Sequence, residues 1–104
     1  MAGSDKRCDI SQVDPNALWL LGEVAKFGNS KYPKLSWFRN PGSYSEYYAA
    51  AQRHLMAWYG GYDNDGESGL SHLGHAAWNI LVLYTFHIRK IGTDDRTFRK
   101  EEEK

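Results

Sequence analysis

At 104 residues the chain supports one domain, and a domain this small must pack its core tightly or complete it with a partner. Thirteen basic residues balance thirteen acidic ones, which excludes the basic footprint of a duplex nucleic-acid binder but leaves room for a local Lys/Arg cluster. Four Trp, seven Tyr and four Phe suit a folded core rather than a disordered chain.

Cys8 is the single cysteine and cannot form an internal disulfide, and residues 1–13 lack the apolar stretch of a secretory signal. The expected compartment is therefore the cytoplasm. The most apolar run, Ala76–Ile88, is interrupted by Asn79, Thr85 and His87 and falls short of the ~20 residues a bilayer needs, so no membrane partner is expected.

In chain order, residues 1–13 read as a flexible polar lead, 14–91 as a single helical domain and 92–104 as a charged tail. Asp14-Pro15 is a helix start, with Asp14 as N-cap and Pro15 at the first helical position. Ala17, Leu20, Leu21, Val24 and Phe27 follow at helical spacing, and Gly28-Asn29 predicts a left-handed stop. Ser30–Gly42 carries two prolines and no sustained period, so it reads as a loop. Its Lys31, Tyr32, Lys34, Trp37 and Arg39 make it aromatic and basic, fit to pack on the domain or line a pocket. Ser43 and Glu46 form a capping box that opens a second helix, with Tyr48, Ala51, Leu55 and Trp58 on one face and Gly60-Gly61 as its end. After an acidic turn at Asp63–Gly69, a third helix is predicted from near Glu67–Gly69 to about Lys90, with Leu70, Leu73, Ala77, Leu81 and Tyr84 as its core stripe. The fold expected is all-α, a small three-helix bundle, with dimerisation as a means of completing it.

The polar residues concentrate between Arg53 and Asn79. His72, His75 and Asn79 are three and four apart, so on a helix they share a face, read here as lying beside the apolar stripe. Arg53 and His54 close the second helix, and the chain reverses at Gly60-Gly61. Asp63, Asp65 and Glu67 therefore come to the same corner. A mixed carboxylate–imidazole set of this kind can hold a divalent ion and act on phosphate. The alternation of the three acids is not a calcium loop, because its sixth position is Ser68 and its twelfth Gly74. Each residue also has a plain structural reading. His72 and His75 can hydrogen-bond within a helix pair, the acids can be turn and cap residues, Arg53 can pair with Glu46, and a buried Asn79 needs partners of its own.

Taken together, Phe27–Tyr32, Trp37, Tyr44-Ser45, Arg53-His54-Leu55, the run Glu67–Ala76 and Asn79 resemble a phage and bacterial family. It is the N-terminal domain type of dATP/dGTP diphosphohydrolases, akin to MazG-like all-α nucleotide pyrophosphatases. The resemblance spans roughly Leu18 to Tyr84. It implies metal-dependent hydrolysis of a purine deoxynucleoside triphosphate to the monophosphate and pyrophosphate, in phage nucleotide-pool metabolism within the host cytoplasm. Carried onto this sequence it points to Lys31, Tyr32, Arg53, His54, Asp65, Glu67, His72, His75 and Asn79.

Glu67, His72 and Arg53 are the catalytic candidates, while Lys31, Tyr32, Trp37, Arg39 and Asn79 are the substrate contacts. His54, Asp63, Asp65, Glu67, His72 and His75 are candidates to hold a divalent ion, Mg²⁺ or else Mn²⁺. A homo-oligomer is expected. The helical Glu-x-x-Glu and Glu-x-x-Asp pairs of MazG-like enzymes do not occur here. That leaves a non-catalytic helical module binding a nucleotide or a protein as the alternative, ahead of a histidine–aspartate phosphohydrolase.

Overall fold

The computed structural model describes residues 7–100. It is all-α, with helices α1 (Pro15–Gly28), α2 (Ser36–Arg39), α3 (Tyr44–Tyr59) and α4 (His72–Arg89). Among the described residues there is no strand, only isolated bridges joining Ser43 to Thr93 and Asn64 to Ser71. Of the polar lead, residues 1–6 lie outside the description, and Ile10–Gln12 forms a 3₁₀ turn capped by Asp9.

The Asp14 carboxylate accepts from the Asn16 N–H at 3.0 Å, so α1 starts where expected. Its end differs. Gly28 is still helical and Asn29 caps it at φ −68°, a right-handed conformation. The chain leaves the helix through successive turns, with the N–H groups of Lys31 and Tyr32 both donating to the Gly28 carbonyl at 3.0 Å. That tightening places Lys31 and Tyr32 under the last turn of α1. The stretch read as a loop contains α2, entered through Leu35 in the left-handed region at φ 64°.

Helices α3 and α4 run antiparallel, since Tyr47 meets Phe86 while His54 meets His72 and His75. Helix α1 packs across the start of α4. A Cβ on Gly74 would lie 2.6 Å from Leu20 Cγ, so the missing side chain is what permits the approach. The core centres on Val82 and Phe86, both fully buried, with Tyr44, Trp37, Tyr47 and Trp78 packed around them. Ring contacts from Phe86 to Tyr47 at 5.2 Å and to Trp37 at 6.3 Å are edge-on and tilted, geometries that aromatic pairs favour.

This corrects both predicted stripes. On α4 the buried positions are His75, Ala76, Val82 and Phe86, whereas Leu73, Ala77, Leu81 and Tyr84 are exposed. Ile80 and Ile88 extend that exposed row. Nearly every face of α4 is apolar, so periodicity could not choose between them. On α3, Tyr44, Tyr47 and Ala51 face inward, while Tyr48 and Trp58 lie outside.

Helix α4 also starts later than predicted, at His72, with Ser71 as N-cap accepting from the Leu73 N–H at 3.1 Å. The residues before it form a closed turn. Asp65 N–H donates to the Leu70 carbonyl at 2.8 Å, and Gly69, at φ +74°, donates back to the Asp65 carbonyl at 2.8 Å.

Beyond α4 the chain folds back. Thr93 N–H donates to the Gly42 carbonyl at 3.1 Å, Tyr44 N–H to the Thr93 carbonyl at 2.9 Å, and Ser45 N–H and Oγ–H to the Asp95 carboxylate. Asp95 thus meets the N-terminus of α3, where a negative charge is favoured. Within the segment expected as a charged tail, residues 92–95 are therefore tied onto α3. Gly92 makes this return possible. Its φ is +79°, and a Cβ would sit 2.9 Å from the Gly42 carbonyl oxygen. Gly92→Ala is expected to destabilise the fold by about 1–3 kcal/mol, read as a lower melting temperature. An unchanged melting point would mean that the return segment adds nothing to stability.

Candidate functional site

Three elements meet at one corner: the last turns of α3, the closed turn before α4, and the first turns of α4. His54 Nδ1 and His72 Nδ1 lie 2.9 Å apart, a hydrogen bond in which one ring donates and the other accepts. His75 stacks flat on His54, with centroids 4.6 Å apart and planes 13° from parallel. On its other side His75 meets the edge of Phe27 of α1 at 6.1 Å. Its Nε2 shares a hydrogen bond with Ser68 Oγ at 2.7 Å and stands 3.9 Å from Asp65 Oδ2.

Asp65 is held in turn. Oδ2 accepts from the N–H of Ser68 at 2.8 Å and of Glu67 at 3.2 Å. Burial pushes its carboxyl up, but the Ser68 N–H and hydroxyl together with His75 outweigh that and leave it below the ordinary value of 3.8. Asp65 is therefore a carboxylate throughout the neutral range.

At the rim, Lys31 Nζ bonds both Glu67 oxygens, at 2.8 and 2.9 Å, and lies over the Phe27 ring. The N–H of His72 is satisfied by the Asp63 backbone carbonyl at 2.9 Å. Of the six expected metal ligands, His54, Asp65 and His72 each offer one ligand atom within 4.8 Å of the others. Two imidazoles and a carboxylate fit a divalent ion that accepts nitrogen donors, and they suit Mg²⁺, which prefers oxygen, less well. His75 supports this trio, Glu67 turns to Lys31, and the Asp63 side chain is exposed.

The remaining candidates divide. Arg53 is exposed beside His54. Asn79 makes no interhelical bond; its Nδ2 donates to the His75 carbonyl one turn back on α4 at 2.8 Å. Tyr32 and Trp37 line a groove of about 490 Å³ between α1 and α2, a volume in the range of small-molecule sites. Trp37, however, is committed to Trp78 at 5.6 Å and to Phe86, so its ring belongs to the core. Arg39 is exposed at the end of α2. Ser68 escaped the reading of the sequence although it bridges Asp65 and His75. The only signal was its place in the Glu-Ser-Gly run.

The pattern of the family described as dATP/dGTP diphosphohydrolase, N-terminal, matches residues 1–96. The chain belongs to this family. A curated relative, a dATP/dGTP diphosphohydrolase of Salmonella phage PMBT28, is 26% identical over 90 residues. That alignment covers 86% of this chain but 30% of the relative, so the chain spans under a third of the relative's length. No solved structure matches. No helix among the described residues is long and apolar enough to cross a membrane.

Burial lowers the His54 imidazole below its ordinary 6.5, and the neighbouring His75 and His72 add to this. Burial likewise lowers His75, with Asp65 opposing it in part. Folded imidazoles that resist protonation leave the unfolded chain binding more protons below about pH 6.5, so stability is full above that pH and falls as pH drops towards the folded values. In chelator, the melting temperature is expected to fall between about pH 7 and pH 5, and His54→Asn to flatten that slope. Equal slopes in the two proteins would count against the cluster as its source.

Proposed function

We propose that this domain acts on purine deoxynucleoside triphosphates, releasing pyrophosphate and leaving the monophosphate, with a divalent ion at the α3–α4 corner. The convergence of His54, Asp65, His72 and His75 from three elements carries this reading. A divalent ion supplies polarised phosphoryl oxygens and a more acidic water there. The protein's own residues do the rest. Asp65 and the imidazoles fix the polar floor of the corner. Lys31 and Arg53 offset phosphate charge, and Glu67, released from Lys31 as phosphates take its place, accepts a proton from the attacking water. Tyr32, exposed under the end of α1, offers a face for a purine, while Asn79 steadies the first turns of α4.

Pyrophosphate release from dATP, dGTP, dCTP and dTTP, with Mg²⁺, Mn²⁺ or chelator, tests it. Metal-dependent turnover of dATP or dGTP is the expected result; silence across the panel from folded protein would remove it. Lys31→Met is expected to lower turnover while leaving the melting temperature nearly unchanged, because an exposed ion pair contributes little to stability. A variant with full turnover would take Lys31 out of the site.

A second reading, a binding module without catalysis, draws on the exposed apolar row of α4 and on the small share of the relative that this chain spans. Nucleotide binding without turnover would select it. Association of two copies through that row belongs to either reading, and a monomer mass in sedimentation would remove it.

A further inference from the structure

We propose that His54, His72 and Asp65 hold a resident transition ion of the Zn²⁺ class, distinct from any Mg²⁺ that arrives with a nucleotide. The inference rests on the corner being the functional site but not on turnover. Donor chemistry favours such an ion. Two imidazole nitrogens and one carboxylate oxygen match a borderline-soft ion, whereas Mg²⁺ takes oxygen ligands and keeps its waters.

The spacing of the donors favours it as well. Tetrahedral ligands about 2.0–2.1 Å from zinc stand roughly 3.3 Å from one another. The His54 and His72 nitrogens, at 2.9 Å, need only part slightly to admit an ion. Without one, a single proton must sit between two lone pairs aimed at each other; an ion satisfies both at once. Asp65 already offers a carboxylate oxygen within 4.8 Å of both partners, so closing on the ion asks for a shift of that side chain alone. Three protein ligands leave a position for water or a phosphoryl oxygen, the pattern of a catalytic rather than a closed structural site.

A supporting shell surrounds the three donors. His75 stacks on His54, bonds Ser68 and approaches Asp65, while the N–H groups of Ser68 and Glu67 fix the Asp65 carboxylate. Such outer partners orient ligands and tune affinity. His75 is thus a positioning residue here, not the fourth ligand.

The test uses the whole chain, stripped with chelator, loaded with Zn²⁺ or Co²⁺ and desalted into excess Mg²⁺. One ion per chain is expected to remain by elemental analysis, with Co²⁺ giving the intense visible bands of a four- or five-coordinate site. His72→Ala and Asp65→Asn are expected to lose the retained ion, with folding checked by circular dichroism. His75→Ala should keep the stoichiometry and weaken affinity by roughly 10–100-fold. His87→Gln, on the exposed last turn of α4, should change nothing. Should His72→Ala fail to fold, Asp65→Asn decides alone. No retained ion, displacement by Mg²⁺, or equal loss in His87→Gln would overturn the inference. A retained ion without pyrophosphate release would leave it standing and remove the proposed function. Turnover with Mg²⁺ alone, in protein that retains no ion, would do the reverse.

Discussion

Asp65→Asn is expected to lower pyrophosphate release from dATP or dGTP by about a hundredfold or more, with the helices intact. The substitution is nearly isosteric. An amide oxygen can still accept from the Ser68 and Glu67 N–H groups that now bond the carboxylate at 2.8 and 3.2 Å, so the turn before α4 has reason to survive. What disappears is the negative charge. That charge faces His75 at 3.9 Å and would draw the proposed cation to the corner. Removing one such preorganised electrostatic contact typically costs 10²–10³-fold in rate. Steady-state turnover beside a thermal melt separates the two roles. A parallel collapse of both would make Asp65 a structural residue of the turn, and near-normal turnover would place the chemistry elsewhere.

That corner was largely legible in the sequence. The three- and four-residue spacing of His72, His75 and Asn79 puts them on one face of a helix, and a reversal at Gly60-Gly61 returns His54 to them. Helix starts at Asp14-Pro15 and Ser43 were legible for the same reason: capping is written in local side chains. The face of α4 was not. Its apolar residues surround the helix, and the choice between the Leu73–Tyr84 row and the Val82–Phe86 row depends on a long-range fit. Gly74 yields to Leu20 on one side, and Trp37 and Tyr44 close over Phe86 on another. The return of Gly92–Asp95 onto α3 was illegible for a different reason. It is made mostly by backbone groups, which every sequence possesses. The Lys31–Glu67 pair, 36 residues apart, was met only as two members of one motif, never as a contact.

Phe86→Ala is expected to have the largest effect on stability of any single truncation, about 3–5 kcal/mol. Phe86 is fully buried, and its ring touches Trp37 of α2 and Tyr44 and Tyr47 of α3. It also lies under Gly92, where the chain turns back to α3, so a void there loosens the return segment as well as the α3–α4 contact. Small domains have only about 5–15 kcal/mol in total, so the variant loses a large share of its stability and at the low end of that range stands close to half-unfolded. Urea denaturation reads this directly, and Phe86→Leu, which keeps most of the apolar volume, is expected to lose less. A loss under about 1 kcal/mol would mean that the cavity collapses or that the aromatic cluster is not the centre of the core. Phe86 is eleven residues, three helical turns or roughly 16 Å, beyond His75 on the same helix. Turnover per folded molecule should therefore stay close to that of the parent protein at low temperature. A disproportionate loss would show that the corner depends on the packing of α4 along its whole length, through the antiparallel contact that also seats His54 against His75.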